Sequence, residues 1–255
     1  MSYIAITGGG RGIGLELARQ LEQLPTSRVA KVIVTTRGAP SAELAKLIAN
    51  SAGRIVNIGC EVTNEASVQK AAAEIEAQLD GKGLDILINN VGAMPYGAEG
   101  VRAMDGETLL QTFDVNVISA HRVTAALIPA LQKSKEKKII MVSSPLGSVG
   151  QANRFTWLPT PEYKITKAAM NMLSVQYAIA YEKEGFTVLA ISPGWLKTDM
   201  GSERADLDVE QGVNAVKDLV LAADAKMNGK FYNIRVPGWE HAEGSNQYDG
   251  GEIPW

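Results

Sequence analysis

Tyr3-Ile4-Ala5-Ile6-Thr7-Gly8-Gly9-Gly10-Arg11-Gly12-Ile13-Gly14-Leu15-Glu16-Leu17-Ala18 decides the fold of this chain. The short apolar run at residues 3–7 reads as a buried strand, and the apolar spacing that begins at Ile13 predicts a helix over residues 12–24. Between them lies a glycine turn of the form Gly8-x-x-x-Gly12-x-Gly14. Such a turn lets the backbone reverse sharply and brings an anion close to the free N–H groups and positive dipole end of the helix. Gly8, Arg11, Gly12, Ile13 and Gly14 are therefore candidate contacts for a dinucleotide pyrophosphate. A glycine-rich turn by itself is equally an ordinary tight connection. Its place directly after a strand and before a helix favours the nucleotide.

The same strand–helix alternation continues downstream. Strands are expected at residues 29–35, 54–58, 84–89, 138–143 and 187–192, with helices at 41–51, 64–79, 105–132, 161–184 and 208–223. A possible edge strand follows at 230–234. Runs such as Ile86-Leu87-Ile88 and Ile139-Ile140-Met141-Val142 are apolar throughout, as expected where both sheet faces are covered. The pattern predicts an α/β fold: a doubly wound, mostly parallel, Rossmann-like sheet with helices on both faces. With no linker or repeat, residues 1–255 read as one catalytic domain. Loops 144–161 and 194–207 fall on the substrate side. The polar, glycine-rich tail 236–255 reads as irregular, either covering something or mobile.

Composition narrows the function classes. The 255 residues carry a formal net charge of −3 and are 45% hydrophobic. No basic surplus points to nucleic acid. The densest basic run, residues 133–138, reads as a solvated loop before a strand. No stretch approaches the ~20 apolar residues of a membrane span, and the start of the chain lacks a signal-peptide pattern. Cys60 is the only cysteine, so no disulfide can form within the chain. A soluble cytoplasmic protein is expected. His121 and His241 stand apart from other metal-ligating residues and receive no site role.

Two further stretches carry chemistry. At the end of the second strand, Thr35-Thr36-Arg37-Gly38 replaces the acidic residue an NAD site wants at the ribose 2′-hydroxyl. Arg37 and Arg11, with no competing carboxylate at that strand end, favour the 2′-phosphate of NADP(H) over two solvent-exposed charges. Tyr163-Lys164-Ile165-Thr166-Lys167 places a phenol and an ammonium on one helix face. A phenol titrates near pKa ~10, and a neighbouring cation moves it toward neutrality.

Taken together, these motifs resemble the single-domain short-chain dehydrogenase/reductase family from the first strand to about Met200. Asn89-Asn90-Val91-Gly92 resembles the family's Asn-Asn-Ala-Gly motif, with Val91 in place of alanine. Cys60-Glu61-Val62 sits where the family often has Asp-Val beside the adenine, so Glu61 is a conservative departure. Asn116, Ser144, Tyr163 and Lys167 match the family's catalytic tetrad, and the Pro193-Gly194 segment with Thr198 matches the stretch flanking the nicotinamide. The chain looks similar to the sniffer-like and C-factor-like carbonyl reductases, and its ending to fungal ketoreductases of the norsolorinic acid reductase type. One departure stands out: Ser144 lies 19 positions before Tyr163, against about a dozen in related enzymes. The surplus falls in residues 151–161, an enlarged loop. Ser143 is the alternative serine, and the Ser144-x-x-Gly147 pattern favours Ser144.

The resemblance implies NADPH-dependent reduction of a ketone or aldehyde. Tyr163 would be general acid and Lys167 would lower its pKa and hold the nicotinamide ribose. Ser144 would bind the carbonyl oxygen and Asn116 would anchor a water. Thr198 would bond the carboxamide, and it also suits a helix cap. Met94, Pro95, Tyr96, Leu146, Phe155, Trp157 and Trp195 suggest an aromatic or apolar carbonyl substrate, though each would equally serve as loop packing. The same residues would serve an NADP-dependent alcohol dehydrogenase. A low-turnover NADP(H)-binding sensor is a further reading, disfavoured by the full tetrad. The long helices resemble those forming the family's dimer contact, so a homodimer or homotetramer is expected, with Ala169, Leu173, Gln176 and Ala180 outward.

Overall fold

The computed structural model describes residues 1–95 and 100–255. Its described strands form one sheet, in the order β3-β2-β1-β4-β5-β6-β7 with every pair parallel. The strands are β1 (Ser2–Thr7), β2 (Val29–Thr36), β3 (Ile55–Gly59), β4 (Ile86–Asn89), β5 (Lys138–Val142), β6 (Thr187–Ser192) and β7 (Phe231–Asn233). The helices are α1 (Gly12–Glu22), α2 (Ala42–Asn50), α3 (Glu65–Gln78), α4 (Gly106–Phe113), α5 (Ser119–Gln132), α6 (Pro161–Tyr181) and α7 (Val209–Ala222).

Strand alternation divides the core between two faces. Ile4, Ile6, Val34, Ile88 and Ile140 pack with Leu17, Leu21 and Val216 of α1 and α7. Ala5, Ile33, Leu87, Ile139 and Met141 pack against Ile75, Leu127 and Met170 of α3, α5 and α6. Strands sealed on both sides have no polar face, which is why these runs are continuously apolar. The chain reverses its winding direction at β1, which pairs with both β2 and β4. Such a switch point opens a crevice at the strands' carboxyl ends, where α/β sheets bind ligands.

Several expected bounds shift. Strand β3 starts one residue later than expected, β4 two residues later, and β7 is shorter at both ends. The expected 105–132 helix is interrupted by a π turn, Asp114–Ile118, that carries Asn116. The 161–184 helix ends in a 3₁₀ turn, Glu182–Glu184. Lys138 does not lie in a solvated loop. It is buried in β5, with Nζ on the Leu221 carbonyl (3.3 Å) and near Glu136 (3.2 Å). The tail packs rather than hangs: Tyr232↔Glu252 and Arg235↔Asp249 form antiparallel bridges, and Val236, Tyr248 and Ile253 are buried.

Candidate active site

Ser41, Asn64 and Asp105 cap α2, α3 and α4 with side-chain oxygens. By contrast, α1 begins after Arg11 with no side-chain cap, so its first N–H groups face the turn unclaimed by a side chain. The turn itself is tightly packed. A Cβ on Gly14 would stand 2.3 Å from the Gly8 carbonyl oxygen and 2.8 Å from Asn90 Nδ2. Gly12 has φ +54°, which a side chain disfavours. Asn90 binds this turn to β4, donating Nδ2 to the carbonyls of Thr7 (2.9 Å) and Gly8 (3.3 Å), and its N–H to Thr7 Oγ1 (2.9 Å). The arrangement leaves room and donors for a pyrophosphate, the fit a dinucleotide requires.

A cavity of about 1010 Å³ runs from this turn across the ends of β4, β5 and β6 to the tail. Gly8, Arg11, Gly12, Ile13, Asn90 and Val91 line its first part. Gly92, Ser144, Tyr163 and Lys167 follow, with Pro193, Gly194 and Thr198 opposite. Gly14 and Asn116 stand behind the wall. Arg37, Glu61 and Val62 also lie outside it. No carboxylate lies at the end of β2, but other segments bring one to each arginine: Arg37 Nε is 3.8 Å from Glu61, and Arg11 is 2.8 Å from Asp199. The Arg11–Asp199 pair is exposed and in the other only Glu61 is half-buried; surface pairs are worth about 0–1 kcal/mol, weak enough for a phosphate to compete with either carboxylate.

The Tyr163–Lys167 spacing becomes a contact within α6, with Lys167 Nζ 5.5 Å from the Tyr163 ring centre. Both side chains are buried, and Nζ donates to the Val142 carbonyl at 2.8 Å. Burial lowers the Lys167 pKa to about 8, because desolvation disfavours the ammonium. Gly92 lies beside both Lys167 Nζ and Asn116 Oδ1, each 3.5 Å from where a Cβ would stand. Asn116 bonds Ala93 in both directions, accepting from its N–H (2.7 Å) and donating to its carbonyl (2.9 Å). Its other N–H reaches Thr166 Oγ1 at 2.9 Å. The side chain thus holds the segment after β4 against α6, and both its N–H groups are engaged by protein.

The two serines differ. Ser143 also lines the cavity, but its hydroxyl is committed to Asn171 Oδ1 at 2.5 Å. Ser144 Oγ accepts from the Leu146 N–H (3.2 Å), which leaves its own proton to donate. Thr198 Oγ1 accepts from Gly201 N–H at 3.0 Å and sits over Gly12; it closes a turn, since no helix begins directly after it.

On the far side, Met94, Leu146, Phe155, Trp157 and Trp195 line the cavity as expected, whereas Pro95 does not. Tyr96 lies outside the described residues. Trp157 and Trp195 meet at 5.7 Å between ring centres. Residues the sequence did not suggest complete this end: Asn233, Tyr248, Asp249 and Ile253 of β7 and the tail. Tyr248, Asp249 and Ile253 belong to the ending that resembles fungal ketoreductases, but only the folding back of the tail brings these residues to the cavity.

An uncapped glycine turn at a switch point, facing a buried Tyr–Lys pair, defines a dinucleotide-dependent oxidoreductase of the α/β class. The sequence profile of the short chain dehydrogenase family matches residues 2–208, and the chain belongs to that family. A short-chain dehydrogenase/reductase of an Arthrinium species, atnB, is 35% identical over 209 residues, covering 78% of this chain and 76% of that protein. The carbonyl reductase Sniffer of D. melanogaster superposes with a TM-score of 0.87 at 29% identity, over 100% of both chains. An NADPH-bound carbonyl reductase from chicken fatty liver gives 0.86 at 27% identity, over 100% of this chain and 99% of the other.

Proposed function

We propose that this protein is a cytosolic NADPH-dependent carbonyl reductase acting on aromatic or apolar ketones and aldehydes. The observation that carries the reading is the buried Tyr163–Lys167 pair at the wall of a cavity that begins at the uncapped end of α1. The NADPH bound to the similar chicken carbonyl reductase supports the choice of cofactor. So does the absence of an acidic residue at Arg37, the end of β2.

Pro193 and Gly194 would flank a bound nicotinamide, which would supply a hydride to a carbonyl carbon. Tyr163 donates its phenolic proton to the oxygen that becomes basic, and Ser144 donates a hydrogen bond to that oxygen. Lys167 stabilises the phenolate that forms. At neutral pH a lysine of pKa about 8 is mostly charged, and a growing phenolate beside it holds the proton more firmly. Asn116 positions Gly92 and Ala93 against α6 rather than touching substrate. Phe155, Trp157 and Trp195 offer flat apolar surface to the rest of the substrate. The same groups run the reverse oxidation, and the cofactor ratio sets the direction.

Helix α6 also exposes Ile165, Met172 and Ile179, seven residues apart on one face, near exposed Leu110 of α4. This stripe supports a homodimer. It lies beside the outward set expected from sequence, of which Gln176 and Ala180 are exposed while Ala169 and Leu173 are half-buried, Leu173 packing against the core. A solution mass twice the 27.2 kDa chain is expected.

The deciding test is Tyr163→Phe. Turnover should fall by on the order of 10²-fold or more while NADPH still binds by fluorescence titration. A variant that keeps near-normal kcat removes Tyr163 from the reaction.

A further inference from the structure

Three segments remote in sequence are joined at the substrate end of the cavity. The 194–207 loop closes on itself through a Leu196↔Leu207 bridge, with Lys197 N–H on the Leu207 carbonyl (2.9 Å) and Leu207 N–H on the Trp195 carbonyl (3.2 Å). The tail reaches into this loop with Tyr248. The Trp195 N–H donates to the Tyr248 hydroxyl at 3.2 Å, and that hydroxyl donates to Asp206 Oδ2 at 2.5 Å. Asn246 Nδ2 donates to the same Asp206 oxygen at 2.7 Å. The Trp195 peptide is thus held on one side by Leu207 and on the other by a relay that ends on a carboxylate.

The Tyr248 ring is itself fixed. It is buried and packs against Trp239 with ring centres 5.5 Å apart, and its N–H bonds the Trp239 carbonyl at 3.1 Å. Its edge lies against Gly194, 3.4 Å from where a Cβ would stand. The phenol is held strongly in its protonated form, by burial first and by the bond to Asp206 second. It donates to Asp206 and accepts from Trp195 at once, which a phenolate could not do. The indole it supports is anchored at its other end, Nε1 to the Gly201 carbonyl (2.7 Å), and leans on Trp157.

We infer that Tyr248 and Asp206 are positioning residues that set the Trp195 wall and so select wide, flat ketones over small ones. The inference rests on the reductase reading above and adds to it that a tail residue, acting through the 194–207 loop, shapes the substrate wall. Neither residue needs to touch the reacting atoms. Their effect passes through the Trp195 peptide to its ring.

The test compares NADPH oxidation with a fused tricyclic aryl ketone and with cyclohexanone. Tyr248→Phe keeps the ring and removes both hydrogen bonds. It should lower kcat/KM for the tricyclic ketone roughly tenfold relative to cyclohexanone, chiefly through KM, since the weakened wall forfeits about one good hydrogen bond. Asp206→Ala should reproduce that split, and Asp206→Asn, which can still present an acceptor oxygen, should restore most of it. The double variant Tyr248→Phe/Asp206→Ala should be no worse than either single change, because the two act as one relay. Equal losses on both ketones with a lowered Tm, or additive effects in the double variant, would overturn the positioning role and leave the reductase reading standing. Wild-type protein that oxidises NADPH with neither ketone overturns that reading, and the inference with it.

Discussion

Gly14→Ala sets helix propensity against packing, and the two pull in opposite directions. Alanine in place of glycine within a helix is favourable by about 0.8–1 kcal/mol. Here the added methyl would meet the Gly8 carbonyl oxygen at 2.3 Å and Asn90 Nδ2 at 2.8 Å. Ordinary contact needs about 3.5 Å, so α1 must back away from the turn by roughly an ångström. Overpacking of that kind costs about 1–3 kcal/mol. Displacing Asn90 weakens its bonds to Thr7 and Gly8, each worth about 1 kcal/mol. The net expectation is a loss of about 2 kcal/mol, or roughly 4–8 °C in Tm for a chain of this size. Circular-dichroism melts with and without saturating NADPH measure it, and the NADPH-induced rise in Tm should also shrink. Gly106→Ala is the control: it opens α4 with nothing within 4 Å of its Cβ, and its Tm should hold or rise slightly. A Gly14→Ala protein that melts at or above wild type would refute the packing argument, because helix propensity alone would then decide the outcome.

Other outcomes follow from the site. Above pH ~8 Lys167 loses its proton, so reductive kcat/KM should decline with a midpoint near 8; a profile flat to pH 9.5 would contradict the assignment. Stability should move the other way. Between about 8 and 10.5 the unfolded chain binds the Lys167 proton and the folded chain does not, so unfolding free energy rises with pH there. Lys167→Met should lack that rise in urea melts. Ser144→Ala should lower kcat on the order of 10²-fold, and Ser143→Ala, which only frees Asn171, should lower Tm more than kcat; the reverse ranking would reassign the serine. Arg37→Asp should shift the NADPH/NADH ratio of kcat/KM toward NADH by tenfold or more, and an unchanged ratio would place the 2′-phosphate elsewhere.

The strand–helix alternation and glycine turn were legible because each is a local signal: period, β-branching and caps report the next few residues. Tyr163 and Lys167 were legible as neighbours on one helix face for the same reason, and they do meet, whereas Ser144 was reached only through the family resemblance. The tail was not. Tyr248 and Asp249 carry no periodicity, and their place depends on bridges to Tyr232 and Arg235 that local pattern does not encode. The partners of Arg11 and Arg37 escaped for a related reason. Asp199 lies 188 positions from Arg11, so only the closed sheet shows that the two meet. The π turn at Asn116 was hidden because a wider turn keeps the helical apolar pattern on either side of it.

Strand β7 is three residues long and stands at the margin of the sheet. Margins of this kind are templates for pairing with other chains, and proteins blunt them. Here Glu252 and Asp249 do so from the tail, one beside Tyr232 and the other beside Arg235, and both also line the cavity. Residues that line the cavity therefore also cover an edge that would otherwise be open to pairing. Directed evolution of new substrate range at these positions will trade against solubility, and libraries built there should be screened for aggregation before activity.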